Sequence, residues 1–173
     1  MFDRISIIGS GSWGTALAVI LADHGLPITL WSHNPAVAED INSNRINSSY
    51  LPDVKIPATV RATPDWGETL FAPLIISVLP SKAVRKTAMQ IAELGPKPGT
   101  VLVSCTKGIE HDSGKLMSQV LADCLPDCRM VVLSGPNLAV EIARRIPAAS
   151  VIGSDQTDLL DPLQRIFSVK GFR

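Results

Sequence analysis

The fold this sequence predicts is α/β: a doubly wound, mostly parallel sheet with helices on both faces. Three observations predict it. Short β-branched runs alternate with longer stretches of helical spacing along the whole chain. The run at residues 5–8 and the run at 74–79 are apolar apart from one serine each, Ser6 and Ser77, as for strands covered on both sides. Polar, cationic and glycine-rich segments follow the strands, and an open α/β sheet binds ligands beyond the carboxyl ends of its strands.

Taken in order, residues 5–8 form the first strand. Leu17, Ile20 and Leu21 recur at helical spacing in 14–23, and Gly25 supplies a stop. His24, just before that stop, suits the end of a helix dipole and reads as structural. Residues 28–31 are a second strand. Pro35 opens a helix to about Asn44, proline being favoured in a first turn. Residues 47–57 are polar with two prolines and read as a loop. A third strand at 59–62 and a short helix at 65–70 follow. The strand at 74–79 ends at Pro80, a helix covers 82–94, and 95–99 is a Gly/Pro turn. Residues 100–104 are strand five, 113–125 a helix stopped by Pro126, and 130–133 strand six. A helix at 137–145, a strand at 149–152 and a helix at 157–167 complete the pattern. Crossovers between parallel strands are right-handed, which places helices on both faces.

Composition removes several function classes. The 173 residues carry 16 Lys+Arg against 16 Asp+Glu, with 46% hydrophobic and 18% charged residues, too apolar and too weakly charged for a disordered chain. There is no basic surplus or stripe of the kind that holds nucleic acid through its phosphates. No apolar run approaches the roughly 20 residues that span a bilayer, and the first residues enter a strand without a targeting pattern, so a cytoplasmic protein is expected. Cys105, Cys124 and Cys128 read as reduced thiols. Cys124 and Cys128 have the spacing C-x3-C with no second Cys or His pair near them, so no metal site is expected.

The chemistry-bearing segments lie at strand ends. After the first strand comes Gly9-Ser10-Gly11-Ser12-Trp13-Gly14, which fits G-x-G-x-x-G between a strand and a helix. Gly9 permits the tight turn, Gly11 leaves room for a pyrophosphate against the backbone, and Gly14 lets helix and strand pack closely. The free N–H groups of the helix start then receive the anion. Trp13 reads as shielding the ligand, with a core role as the alternative. Strand two ends at Trp31 and is followed by Ser32-His33-Asn34, with no acidic residue between Asp23 and Glu39. A carboxylate there would bind the ribose 2′-OH of NAD. Its absence removes a repulsion against a 2′-phosphate and leaves His33 free to attract one, so tolerance of NADP is expected. Strand four leads into Pro80 and Ser81, on the cofactor side of such a sheet. Strand five ends at Thr106-Lys107-Gly108, where Lys107 supplies the cation a cleft needs to polarise a carbonyl or hold an anionic substrate. Strand six ends at Ser134-Gly135-Pro136-Asn137, a second turn feeding a helix start, with Asn137 as helix cap, ligand contact, or both.

Together these segments resemble the bacterial NAD(P)-dependent glycerol-3-phosphate dehydrogenases. The resemblance runs through the glycine turn with Thr15-Ala16, Leu30-Trp31, 47–52, 78–81, 106–110, 134–141 and Phe172-Arg173, in family order. It implies a Rossmann-type domain over residues 1–173 and the reversible reduction of dihydroxyacetone phosphate to sn-glycerol 3-phosphate, the entry to glycerophospholipid synthesis. It further implies cofactor contacts at Gly9 to Gly14, Ser32, His33, Tyr50, Pro80, Lys107 and Ala139, and substrate contacts at Lys107, Gly135 and Asn137. Where the family often has a basic residue after strand two, this chain has Ser32-His33-Asn34. Asp53 follows Leu51-Pro52 where a glycine is usual.

By the same resemblance a helical second domain follows, carrying the lysine that acts as general acid/base. The chain is therefore expected to be the cofactor half of a two-domain enzyme, inactive alone and homodimeric at full length. Two alternatives remain open from the residues: a cofactor-binding module without turnover, and a related dehydrogenase acting on ketopantoate or sugar acids.

Overall fold

The computed structural model describes residues 2–173. Seven strands form one sheet: β1 (Ile5–Ile8), β2 (Ile28–Trp31), β3 (Val60–Thr63), β4 (Leu74–Ser77), β5 (Val101–Ser104), β6 (Arg129–Ser134) and β7 (Val151–Gly153). Their order is β3-β2-β1-β4-β5-β6-β7. All neighbours pair in parallel except β6 and β7, which are antiparallel. The strand order reverses between β1 and β4, so the crevice of this doubly wound sheet opens there.

Helices cover both faces, in keeping with the burial of every residue of β1, β4 and β5. They are α1 (Ser12–Leu21), α2 (Pro35–Asn44), α3 (Trp66–Thr69), α4 (Ser81–Leu94), α5 (Met117–Cys124), α6 (Ala139–Ala143) and α7 (Leu160–Phe167). Strand side chains alternate between two apolar layers. Ile5, Ile7, Leu74, Ile76, Val101 and Val103 pack with α1, α2, α6 and α7 on one side. Ile8, Ile75 and Leu102 pack with α4 and α5 on the other.

Local chemistry sets the helix ends. Asn34 caps α2 by accepting from the Ala36 amide (3.0 Å), with Pro35 in the first turn. Asp65 caps α3 through the Gly67 amide (2.7 Å). The helix α4 stops at Gly95, whose φ of 69° is left-handed. Past α1, a 3₁₀ turn at Ala22–His24 ends at Gly25, and His24 Nε2 lies 2.7 Å from the Ile166 carbonyl, a structural contact as expected.

Several boundaries differ from the sequence expectation for identifiable reasons. The helix α5 starts at Met117 rather than 113, because 105–116 folds as a loop. There Glu110 N–H bonds the Lys115 carbonyl (2.8 Å), Gly114 N–H bonds the Glu110 carbonyl (2.9 Å), and Ile109 bridges to Leu116. The strand β4 ends at Ser77, which frees Val78 and Leu79 for the connection to α4. The helix expected at 137–145 is only Ala139–Ala143, and Leu138 occupies its cap position without a side-chain bond. Asn137 therefore does not cap it; its amide donates to Ser150 Oγ at 2.5 Å. The last strand is Val151–Gly153, since Ala148 and Ser150 pair with the chain end at Phe172 and Arg173 instead.

Candidate cofactor site

A cleft of about 500 Å³ lies at the carboxyl ends of β1, β2, β4, β5 and β6, astride the reversal of strand order. Its floor is the turn from β1 into α1. At Gly14 a Cβ would sit 1.8 Å from the Gly9 carbonyl oxygen, so glycine alone permits this approach of helix to strand. At Gly9 the backbone has φ +118°, and a Cβ would lie 2.6 Å from the Val78 carbonyl. Gly11 is different: a Cβ there would meet no protein atom within 4 Å. Its hydrogen faces open cleft, which is the space a phosphate group needs against the backbone. The first intrahelical bond of α1 runs from Thr15 N–H to the Gly11 carbonyl (2.9 Å), so the amides of Ser12, Trp13 and Gly14 precede it. Free N–H groups, a helix N-terminus and a side-chain-free approach together fit the pyrophosphate of a dinucleotide.

This turn is held from outside. Asn47, fully buried, donates to the Ser10 carbonyl and to Thr15 Oγ1, both at 2.8 Å. Ser12 Oγ donates to the Tyr50 carbonyl (2.8 Å), bringing Tyr50 to the rim. Ser10 Oγ donates to Ser32 Oγ at 2.7 Å, and Ser32 Oγ donates to the Asn34 carbonyl at 3.0 Å.

The β2 end contributes Trp31 and His33. The Trp31 indole donates to the Pro64 carbonyl (3.1 Å) and stacks on Trp66, with ring centroids 4.0 Å apart and a 20° interplanar angle. That arrangement fixes the wall beside His33, whose imidazole is exposed. Trp13 faces both the cleft and the core. It lines the cleft, and its ring also meets Phe172 edge-on at 6.4 Å.

Across the crevice, Pro80 and Ser81 start α4 at the cleft wall. Thr106 Oγ1 donates to the Leu79 carbonyl (2.8 Å), and Lys107 Nζ donates to the Gly135 carbonyl (2.7 Å). Lys107 thus bridges the β5 end to the β6 turn that carries Gly135 and Asn137. Behind it, Arg85 forks onto Glu110 with contacts of 2.7 and 2.6 Å. The Arg85 guanidinium, and then the Ser113 hydroxyl, hold the Glu110 carboxyl down at about 2. Cys105 reaches the cleft floor, where burial pushes its thiol up and keeps it unreactive.

Gly9, Ser10, Gly11, Ser12, Trp13, Gly14, His33, Tyr50, Pro80, Lys107, Gly135 and Asn137 therefore converge on one cleft. Ser32 and Ala139 do not line it. The Ser32 side chain is fully buried and turned toward Ser10, and Ala139 packs on the core at the start of α6. Sequence reasoning did not single out Asn47 or Thr106. Thr106 was reachable from its place one residue before Lys107, whereas no spacing signal links Asn47 to a turn 37 residues earlier.

Residues 4–160 match the family described as "NAD-dependent glycerol-3-phosphate dehydrogenase N-terminus". A glycerol-3-phosphate dehydrogenase [NAD(P)+] of Streptomyces griseus is 44% identical over 98% of this chain and 51% of its own length. One from Pseudomonas putida is 43% identical over 98% of this chain and 49% of its own length. The crystal structure of glycerol-3-phosphate dehydrogenase from Coxiella burnetii superposes with a TM-score of 0.91 at 32% identity, over 99% of this chain and 52% of that one. The chain spans about half the length of the relatives it matches. It belongs to the NAD(P)-dependent glycerol-3-phosphate dehydrogenase family and matches the N-terminal domain of that family.

Proposed function

We propose that this chain binds NAD(P) and serves as the cofactor half of an enzyme that interconverts dihydroxyacetone phosphate and sn-glycerol 3-phosphate, for glycerophospholipid synthesis. The observation that carries the reading is Gly11, open to the cleft above the unbonded amides of α1. The chemistry such a cofactor supplies is hydride transfer, here to the C2 carbonyl carbon of the substrate. The start of α1 receives the pyrophosphate through backbone N–H groups. Trp13 and Tyr50 exclude water at the rim. Lys107 offers its ammonium to the oxygen that gains negative charge at C2, and the turn at Gly135 and Asn137 orients the substrate. The proton for that oxygen comes, in this reading, from a lysine in the helical domain that the resemblance implies, and the whole enzyme is a homodimer.

His33 is the residue that sets cofactor tolerance. Ser32 is buried and Asn34 is used as a cap, so the imidazole is the side chain of this turn left for a 2′-phosphate. Comparable affinities for NADH and NADPH, or a preference for NADPH, are expected in a direct binding titration; strong selectivity for NADH removes His33 from that role.

A second reading follows from the length match to half of each relative: a cofactor-binding module without turnover. Residues 1–173 that bind NADPH and do not reduce dihydroxyacetone phosphate support it, while near-normal turnover by this chain excludes it.

A further inference from the structure

We propose that Arg85 and Glu110 are positioning residues that hold Lys107 at the cleft. The inference rests on the reading of Lys107 given above.

The loop from Cys105 to Leu116 connects β5 to α5, and Lys107 sits between two anchors. On one flank Thr106 Oγ1 donates to the Leu79 carbonyl at 2.8 Å. On the other, Arg85 Nε and Nη2 donate to the two Glu110 carboxylate oxygens at 2.7 and 2.6 Å. Both anchors belong to one short stretch, the connection from β4 and the first turns of α4. That stretch also lines the cleft through Leu79, Pro80 and Ser81. Lys107 is thereby fixed to the same piece of backbone that forms the cleft wall, and its own Nζ spans to the Gly135 carbonyl.

The fork has the features of a rigid contact. A guanidinium and a carboxylate in bidentate geometry define orientation as well as distance, which a single lysine contact does not. Glu110 is 18% exposed, and it also accepts from Ser113 Oγ at 2.5 Å, so the carboxylate is fixed from two sides. Neither Arg85 nor Glu110 lines the cleft. Their effect on chemistry there must pass through the loop.

The test is lysine labelling of the chain in wild type, Arg85→Met, Arg85→Lys and Glu110→Gln. Acylation of each lysine by an N-hydroxysuccinimide ester is followed by peptide mass spectrometry. The exposed Lys55 serves as internal reference. Arg85→Met and Glu110→Gln are expected to speed Lys107 labelling about threefold or more relative to Lys55, with Arg85→Lys restoring part of the wild-type rate. In the whole enzyme, Arg85→Met should lower kcat/KM for dihydroxyacetone phosphate about tenfold or more. Its effect on NADPH affinity should be much smaller.

A purely structural role would speed labelling at many lysines together and would show no rescue by Arg85→Lys; that result overturns the assignment. Unchanged Lys107 labelling in both Arg85→Met and Glu110→Gln overturns it as well. If Arg85→Met does not fold, Glu110→Gln alone decides, since it keeps size and shape. A wild-type chain that binds no NADPH defeats the functional reading and leaves the labelling result to stand on its own.

Discussion

At the scale of single residues, two glycines of one turn are alike in chemistry but opposed in purpose. Gly14 is constrained by the protein itself, because a Cβ would fall 1.8 Å from a backbone oxygen that cannot move without breaking the turn. Gly14→Ala is expected to cost about 3 kcal/mol or more, at the upper end for overpacking. On a scale of roughly 2–4 °C per kcal/mol for a domain of this size, thermal unfolding should show a fall of several degrees. Gly11→Ala has no protein atom to meet, so its stability should stay within about 1 kcal/mol of wild type. Lys107 is a third kind of residue, exposed and held by one carbonyl. If it stabilises charge at the substrate oxygen, Lys107→Ala in the whole enzyme should lower kcat/KM by about 10², the size of one such electrostatic contact. Unchanged steady-state kinetics would remove it from the site. These residues were legible in the sequence because a strand, a turn and a helix start impose fixed residue types at fixed positions. For Ser32 the turn pattern gives its position and not the direction of its side chain. Only the structure shows its hydroxyl turned inward to Ser10.

At the scale of elements, caps and stops explain what the sequence revealed. Asn34, Pro35, Asp65 and Gly95 act locally, within a few residues, so their effect can be read without knowing the fold. The loop at 105–116 could not be read that way. Its last residues, 113–116, read as the start of a helix, but Glu110 is engaged by Arg85, 25 residues earlier, and that pairing belongs to tertiary structure. The short α6 has the same origin, since Asn137 is drawn to Ser150 in the neighbouring segment. The Arg85 pair also sets a pH dependence. Glu110 has its pKa lowered from 4.5 to about 2, so its contribution to stability is present above the ordinary carboxylate range. That contribution is lost as pH falls from about 4.5 toward 2. Urea unfolding midpoints at pH 6 and pH 3 should show wild type above Glu110→Gln at the higher pH, with the difference shrinking at the lower. An equal difference at both would mean the fork adds nothing through charge.

For the molecule as a whole, the layered architecture follows from the alternation of strands and helices and from right-handed crossovers, which is why it was legible in sequence, whereas the strand order comes from the structure. The antiparallel β7 was not distinguished from its neighbours, because a strand's composition does not encode its direction. The reversal between β1 and β4 gathers the turns at Gly9 to Gly14, Trp31 to His33, Pro80 to Ser81 and Lys107 into one cleft, though they lie far apart in the chain. Net charge is zero, and phosphate recognition at a helix start needs no surplus of cations. Two of the three tryptophans, Trp13 and Trp31, line this cleft, and the third, Trp66, stacks on Trp31. Intrinsic fluorescence therefore reports directly on occupancy. The decisive measurement is an NADPH titration of wild type and Gly11→Ala by tryptophan quenching, paired with the melting temperature of each. Saturable quenching in wild type, with affinity lowered at least tenfold in a Gly11→Ala chain that melts at nearly the same temperature, is the predicted result. Equal affinity in the two, or no saturable binding by wild type, would contradict the assignment of this cleft as the cofactor site.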